Sequence, residues 1–290
     1  MTTQQYHCFS ISKEISMRNK LRYIFAALVL CSSILLVLLS ESPSADTKAC
    51  PDTKFNSGPY FSQYYEDYVL ASVFHNTTKG FYIDVGVNDP NKNNTTKYFH
   101  DLGWSGMNIE PQQDFYDMLI KARPNDLNYH VALSDKQGIE TFYVPKSSRP
   151  CATLERGNSA LADNIEQIKV RVTTLNDLLD QNKITNIDIL KIDVEGHEHA
   201  VLKGIDLKKF RPKVIVVEII SPYEFHGYLK SEPILLANGY ELGMSDDLNR
   251  YYYAKEHPQF AAKFAKINKC VILDKVSRNA YCPNKKHCKF

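Results

Sequence analysis

Phe81-Tyr82-Ile83-Asp84-Val85-Gly86-Val87-Asn88-Asp89 is the stretch on which the fold turns. The apolar residues Phe81, Tyr82, Ile83 and Val85 read as a buried strand, and Gly86 with Asp84, Asn88 and Asp89 reads as the turn that ends it. A strand that stops in such a turn, with a helix to follow, sets bare backbone N–H groups and a carboxylate at a sheet edge. Nucleotide-like ligands bind there in open α/β folds. The spacing is neither the G-x-G-x-x-G of a dinucleotide site nor the G-K-[ST] of a phosphate loop, which argues against a nicotinamide-dependent oxidoreductase. A single glycine among small polar groups suits a ligand with hydroxyls and a charged amine.

Downstream, residues 104–110 form a second strand that ends in Glu110 and then Pro111. An acid at that tip is placed to accept both hydroxyls of a ribose. A helix over 112–122 and a strand over 128–133 complete two βα units, and Ser134-Asp135 falls where an adenine edge would lie. Upstream, apolar spacing from about Tyr60 to Val73 predicts a helix, with Ser62 as its cap.

The second rich stretch is Ile187-Asp-Ile-Leu-Lys-Ile-Asp-Val-Glu-Gly-His-Glu198. Its strand delivers Lys191, Asp193, Glu195 and His197 to a buried end, where ionisable groups must be paired, hydrogen-bonded or bound to a cation. These four are the catalytic candidates. The alternation of Asp193, Glu195 and His197 predicts that extended backbone turns them to one side. A strand over 214–220 brings Glu218 near Asp193, and the two are candidate ligands for a divalent cation. A turn at 245–249 and a strand over 250–254 close a hairpin, giving seven strands, one of them antiparallel. Residues 145–166 are irregular and read as either a lid or a disordered insertion.

Hydrophobic content of 43% permits a sizeable core, and a formal net charge of +2 with no basic stripe points away from nucleic acid. Eighteen tyrosines fit either a polyol-handling surface or core packing. Residues 23–39 are an uncharged run of about 17 residues, close to what a membrane helix needs. Lys13, Arg18, Lys20 and Arg22 precede it, while Glu41 and Asp46 follow. That asymmetry predicts a cytoplasmic N-terminus and a lumenal body, a type II protein of the endoplasmic reticulum or Golgi, with a cleaved signal as the rival reading. Residues 1–22 are then a tail, 23–40 a signal anchor, 41–58 a stem, 59–268 the domain and 269–290 a cysteine-containing tail. Cys50 with Cys270, Cys282 and Cys288 reads as disulfide staples, and Cys151 as the odd thiol. Asn76, Asn93 and Asn94 would be glycan acceptors in a lumen.

In order, FYIDVGVND (81–89), GWSGMNIEP (103–111), NYHVALSD (128–135), LKIDVEGHE (190–198), RPKVIVVEI (211–219) and DDLNRYYYAKEH (246–257) resemble the FkbM-type methyltransferase family. The resemblance runs from about Ser62 to Phe264, and LKIDVEGHE is its most specific block. It implies an α/β, Rossmann-like class I methyltransferase fold, S-adenosylmethionine as donor and a hydroxyl acceptor, often on a sugar. Carried over, Asp84, Gly86 and Asn88 would hold the methionine part, Glu110 the ribose, and Asp193, Glu195 and His197 would face the acceptor. Pro90 departs from the pattern, since many members have a second glycine there. The expected activity is O-methylation of a glycan-like hydroxyl, with His197 or Asp193 as general base. A methyltransferase-fold scaffold with a decayed donor site is the alternative, and Pro90 is its support.

Overall fold

Along Phe81–Val85 the side chains alternate between two apolar layers: Ile83 and Val85 enter one, Tyr82 the other. That two-sided burial is what a parallel strand covered by helices on both faces requires. The computed structural model describes residues 59–146, 148–156, 164–219, 228–246 and 248–277, all within the unit Ala49–Phe290. The predicted anchor, the stem and the cysteines proposed as staples lie outside the described residues or their described side chains. No described helix is long and apolar enough to cross a membrane.

The first half of the described chain holds α1 (Glu66–Val73), β1 (Phe81–Val85), α2 (Lys97–Asp101), β2 (Ser105–Ile109), α3 (Gln113–Ala122), β3 (Leu127–Tyr129), β4 (Ala132–Leu133) and β5 (Gly138–Pro145). A 3₁₀ turn (Arg149–Cys151) and β6 (Ile165–Thr173) follow. The second half holds α4 (Leu175–Asn182), β7 (Ile189–Ile192), α5 (Glu198–Lys203), β8 (Val214–Glu218), α6 (Tyr228–Ala237), β9 (Tyr240–Ser245), β10 (Asn249–Ala254) and α7 (Gln259–Ser277).

Seven strands form the main sheet in the order β3-β2-β1-β7-β8-β10-β9. β10 runs antiparallel to both its neighbours and the other pairings are parallel. The expected sheet, with its one antiparallel strand, is therefore present. Leucines of α4, Val201 and Leu202 of α5 and Leu235 of α6 cover one face. Val69, Leu70 and Val73 of α1, Phe99 of α2 and Phe260, Phe264 and Ile267 of α7 cover the other. Each such buried side chain contributes about 1.5–3 kcal/mol of apolar burial. Thr174 starts α4 by accepting the Asp177 amide on its hydroxyl at 3.1 Å.

Two expectations are corrected. The first helix begins at Glu66 rather than near Tyr60, because the Asp67 carboxylate folds back to accept the amides of Phe61 and Ser62 and the Ser62 hydroxyl. Tyr65, at φ 64°, separates that turn from the helix. The single strand expected over 128–133 is two: β3 joins the main sheet, and β4 leaves it for a second sheet ordered β4-β6-β5. This sheet flanks the region read as irregular: β5 and β6 pair antiparallel over Gly138 to Pro145, and of residues 145–166 only Pro145, Ile165 and Glu166 lie in it. Its core is Phe142, Val144, Ala152, Val170 and Val172. The tyrosines serve the core first: Tyr82, Tyr240, Tyr251 and Tyr252 are almost fully buried.

Candidate active site

The carboxyl ends of β1, β2, β7 and β8 meet at one place, bringing Gly86, Glu110, Asp193 and Glu218 into one neighbourhood. Beside them lies a cavity of about 450 Å³, counted with its open mouth. Gly86, Asn88, Glu110, Gln112, Asp193, Glu195 and His197 line it from the main sheet, and Phe142, Pro150, Ala152 and Leu154 close it from the second sheet and the 3₁₀ turn. Gly86 has φ +82°, and a Cβ there would sit 2.0 Å from the Asp193 carbonyl oxygen. Only glycine permits that backbone approach between the turns after β1 and β7.

Asp84 is 0% exposed and does not line the cavity. Its carboxylate accepts the Thr96 hydroxyl at 2.6 Å and the Asn94 amide at 3.3 Å, and Lys191 Nζ lies 3.3 Å away. Lys191 in turn donates to the Gly86 carbonyl at 2.9 Å and faces Asp193 at 3.3 Å. Burial alone would lower the Lys191 pKa, but Asp193 and Asp84 outweigh it and hold the ammonium charged. Asp84, expected to hold ligand, and Lys191, expected to catalyse, brace the glycine turn in this structure.

Arg123, which sequence reasoning passed over, completes the bracing. It is 1% exposed and donates to Asn94 Oδ1, Thr96 Oγ1, Asn108 Oδ1, the Pro90 carbonyl and, more weakly, the Tyr82 hydroxyl. The Pro90 carbonyl at 3.0 Å shows how the loop tolerates proline: it is held through its oxygen, and the missing N–H is not needed. Asn94 spends its whole amide on this network and is buried, so it cannot accept a glycan; Asn76 and Asn93 are exposed.

Glu110 is 1% exposed and accepts the amides of Asn88 at 2.9 Å and Gln112 at 2.8 Å. Burial pushes its carboxyl up to about 7. Asn88 sits at φ +53°, which asparagine tolerates, and this turns its amide toward Glu110. Beside Glu110, buried Gln112 donates to the Arg149 carbonyl, while its Oε1 has no donor among the described residues. Asp135, expected at the adenine edge, is exposed and outside the cavity wall.

After β7 the backbone does not stay extended. Glu195 has φ +57° and Gly196 φ +99°, and the Glu198 carboxylate accepts the amides of Val194 and Gly196 at 3.0 Å. The turn splits the expected trio. Carboxylate oxygens of Asp193, Glu195 and Glu218 come within 4.8 Å of one another, whereas His197, also on the cavity wall, pairs with other partners. Its Nδ1 meets Glu155 Oε1 at 2.6 Å and its Nε2 meets Ser134 Oγ at 2.9 Å. Both ring nitrogens are thus engaged, one by a carboxylate and one by a hydroxyl, which fixes the ring's orientation. Burial, then Asp193 and Glu198, push Glu195 up to about 8. Cys151 is a free, half-buried thiol. Glu155, Gln112 and Arg123 carried no local signal, since each meets the site through long-range contacts.

Comparison with known proteins bears on what such a cavity does. The family described as methyltransferase FkbM domain matches residues 84–242, more than half of the chain. No curated protein matches it. A solved methyltransferase FkbM from Methylobacillus flagellatus is 14% identical at a TM-score of 0.40, over 61% of this chain and 44% of that one. This chain thus spans less than half of that protein's length. A TehB-like SAM-dependent methyltransferase from Corynebacterium glutamicum is 11% identical at a TM-score of 0.38, over 66% of this chain and 88% of the other.

Proposed function

Starting from the fact that this chain belongs to the FkbM methyltransferase family, we propose that it is an S-adenosylmethionine-dependent O-methyltransferase acting on a hydroxyl of a glycan or related molecule. The observation that carries the donor assignment is the Glu110–Gln112 wall. Two buried side chains present acceptor oxygens to the cavity, one of them without a donor among the described residues. A ligand that brings ribose hydroxyls and an adenine amine fits that set, and the acidic side at Asp193 and Glu195 suits its positive charge.

Bound there, S-adenosylmethionine supplies a methyl group whose transfer to oxygen leaves the carbon–sulfur electron pair on sulfur as a neutral thioether. The chain's own residues do the rest. Glu110 accepts the ribose hydroxyls, Gln112 Oε1 accepts an N–H, and the braced Gly86 turn presents its backbone to the amino-acid end. The carboxylates on the cavity wall, Asp193 and Glu195, draw the proton from the acceptor hydroxyl, by taking it or by holding a cation that lowers its pKa. Phe142 and Leu154 exclude water above the site.

The uncharged run over 23–39, with basic residues before it, supports a type II arrangement with the body in a Golgi or endoplasmic-reticulum lumen. Exposed Asn76 and Asn93 would then carry glycan. The activity is tested by offering labelled donor and a panel of glycans to the purified protein. A methyl group found on an acceptor oxygen by mass spectrometry is the expected result, and donor binding without any methylated acceptor would favour the scaffold reading. A body digested by protease outside sealed microsomes would overturn the lumenal placement.

A further inference from the structure

We propose that Asp193, Glu195 and Glu218 form a site for one divalent, oxygen-preferring cation, of the Mg²⁺ or Mn²⁺ class, opening into the cavity. The inference deepens the methyltransferase reading and rests on it for the identity of the neighbouring ligand, though not for the cation itself. One oxygen from each carboxylate lies within 4.8 Å of the others. An octahedral ion with metal–oxygen distances of about 2.1–2.4 Å spans about 4.2–4.8 Å between opposite ligands, so three such oxygens close on it with small side-chain shifts.

A cluster of acids is not in itself a site, and a second observation separates this one from an ordinary acidic surface. Glu218 is 7% exposed at the end of β8, and its Oε2 has no hydrogen-bond partner among the described residues. A buried carboxylate oxygen left bare costs free energy unless something positive or protic meets it. Charge also fits. The three carboxylates offer more negative charge than Lys191, which is shared with Asp84, can offset. All-oxygen donors without His or Cys select Mg²⁺, Mn²⁺ or Ca²⁺ over Zn²⁺. Asp193 and Glu195 also line the cavity, so the ion's remaining positions face it and take water or the acceptor's oxygen.

The test uses the full chain, stripped with chelator and desalted, with Mn²⁺ as the probe and no donor present. Titration followed by the loss of the free-ion electron paramagnetic resonance signal should show one site per chain. Glu218→Gln and Asp193→Asn should each weaken it at least tenfold, with folding checked by circular dichroism. Absence of saturable Mn²⁺ binding to the folded wild-type chain overturns the proposal. So does equal binding by both folded variants, or loss of Mn²⁺ when saturating S-adenosylmethionine is added, which would make the cluster the donor's own cation pocket. Donor titration in excess chelator keeps the two readings apart: donor binding together with no saturable Mn²⁺ binding sinks only the cation site, and saturable Mn²⁺ binding together with no donor binding sinks only the donor reading.

Discussion

Glu155 Oε1 lies 2.6 Å from His197 Nδ1, 42 positions away in sequence, and the pair ties the wall segment after the 3₁₀ turn to the start of α5. The bond to His197, the largest influence, holds the Glu155 carboxyl below its ordinary range. Because His197 is anchored on both sides, it acts as a positioning residue for the cavity's closing wall. Glu155→Ala and His197→Ala should therefore weaken donor affinity to a similar degree. A double-mutant cycle read by denaturation should give a coupling of about 1 kcal/mol, modest because Glu155 is partly exposed. If His197→Ala instead lowers turnover alone, leaving donor affinity intact, His197 is the base after all.

Glu110→Gln keeps the shape of the buried side chain but removes one acceptor. Donor affinity should fall on the order of 10–100-fold, since a ribose hydroxyl loses its partner. Calorimetric titration of the folded variant measures this, and an unchanged dissociation constant would remove Glu110 from the donor site.

Arg123 holds the loop after β1 through a planar fork that lysine cannot copy. Arg123→Lys should destabilise the protein by roughly 2–4 kcal/mol, because Asn94, Asn108 and the Pro90 carbonyl lose donors in a buried place. Donor affinity should fall with it, since Thr96 and Asp84 lean on the same network. Urea denaturation and donor titration of one variant test both statements, and a variant as stable as the parent would show the network to be redundant.

Glu110, Glu195 and Glu198 sit at about 7, 8 and 7 in the fold against an ordinary 4.5. The folded protein thus holds protons that the unfolded chain has already released. The stability this confers is fully present below pH 4.5 and is lost as pH rises through the folded values. The ligand-free melting temperature should drop by on the order of 5 °C between pH 5 and pH 8. Glu195→Gln, which cannot ionise, should flatten the drop. A wild-type curve that is level across this window would mean that the carboxylates are already ionised in the fold.

Periodicity and strand-end chemistry were enough to place β1, β2, β7, β8 and the closing hairpin, because burial on two faces leaves a local apolar signature. They also singled out Gly86, Glu110, Asp193, Glu195 and Glu218, since a glycine or an acid at the end of an apolar run breaks the pattern visibly. Tertiary structure decided the rest. The splitting of 128–133 between two sheets depends on β6, more than thirty residues away, which offers β4 an edge. The left-handed turn at Glu195 and Gly196 depends on Glu198 satisfying its amides, so alternation could not say which way His197 would point. The roles of Asp84, Lys191 and Arg123 depend on a hydrogen-bond network drawn from β1, α2, α3 and β7. A chain pattern records whether a residue is buried, but a buried charge takes its function from the partners that folding brings to it.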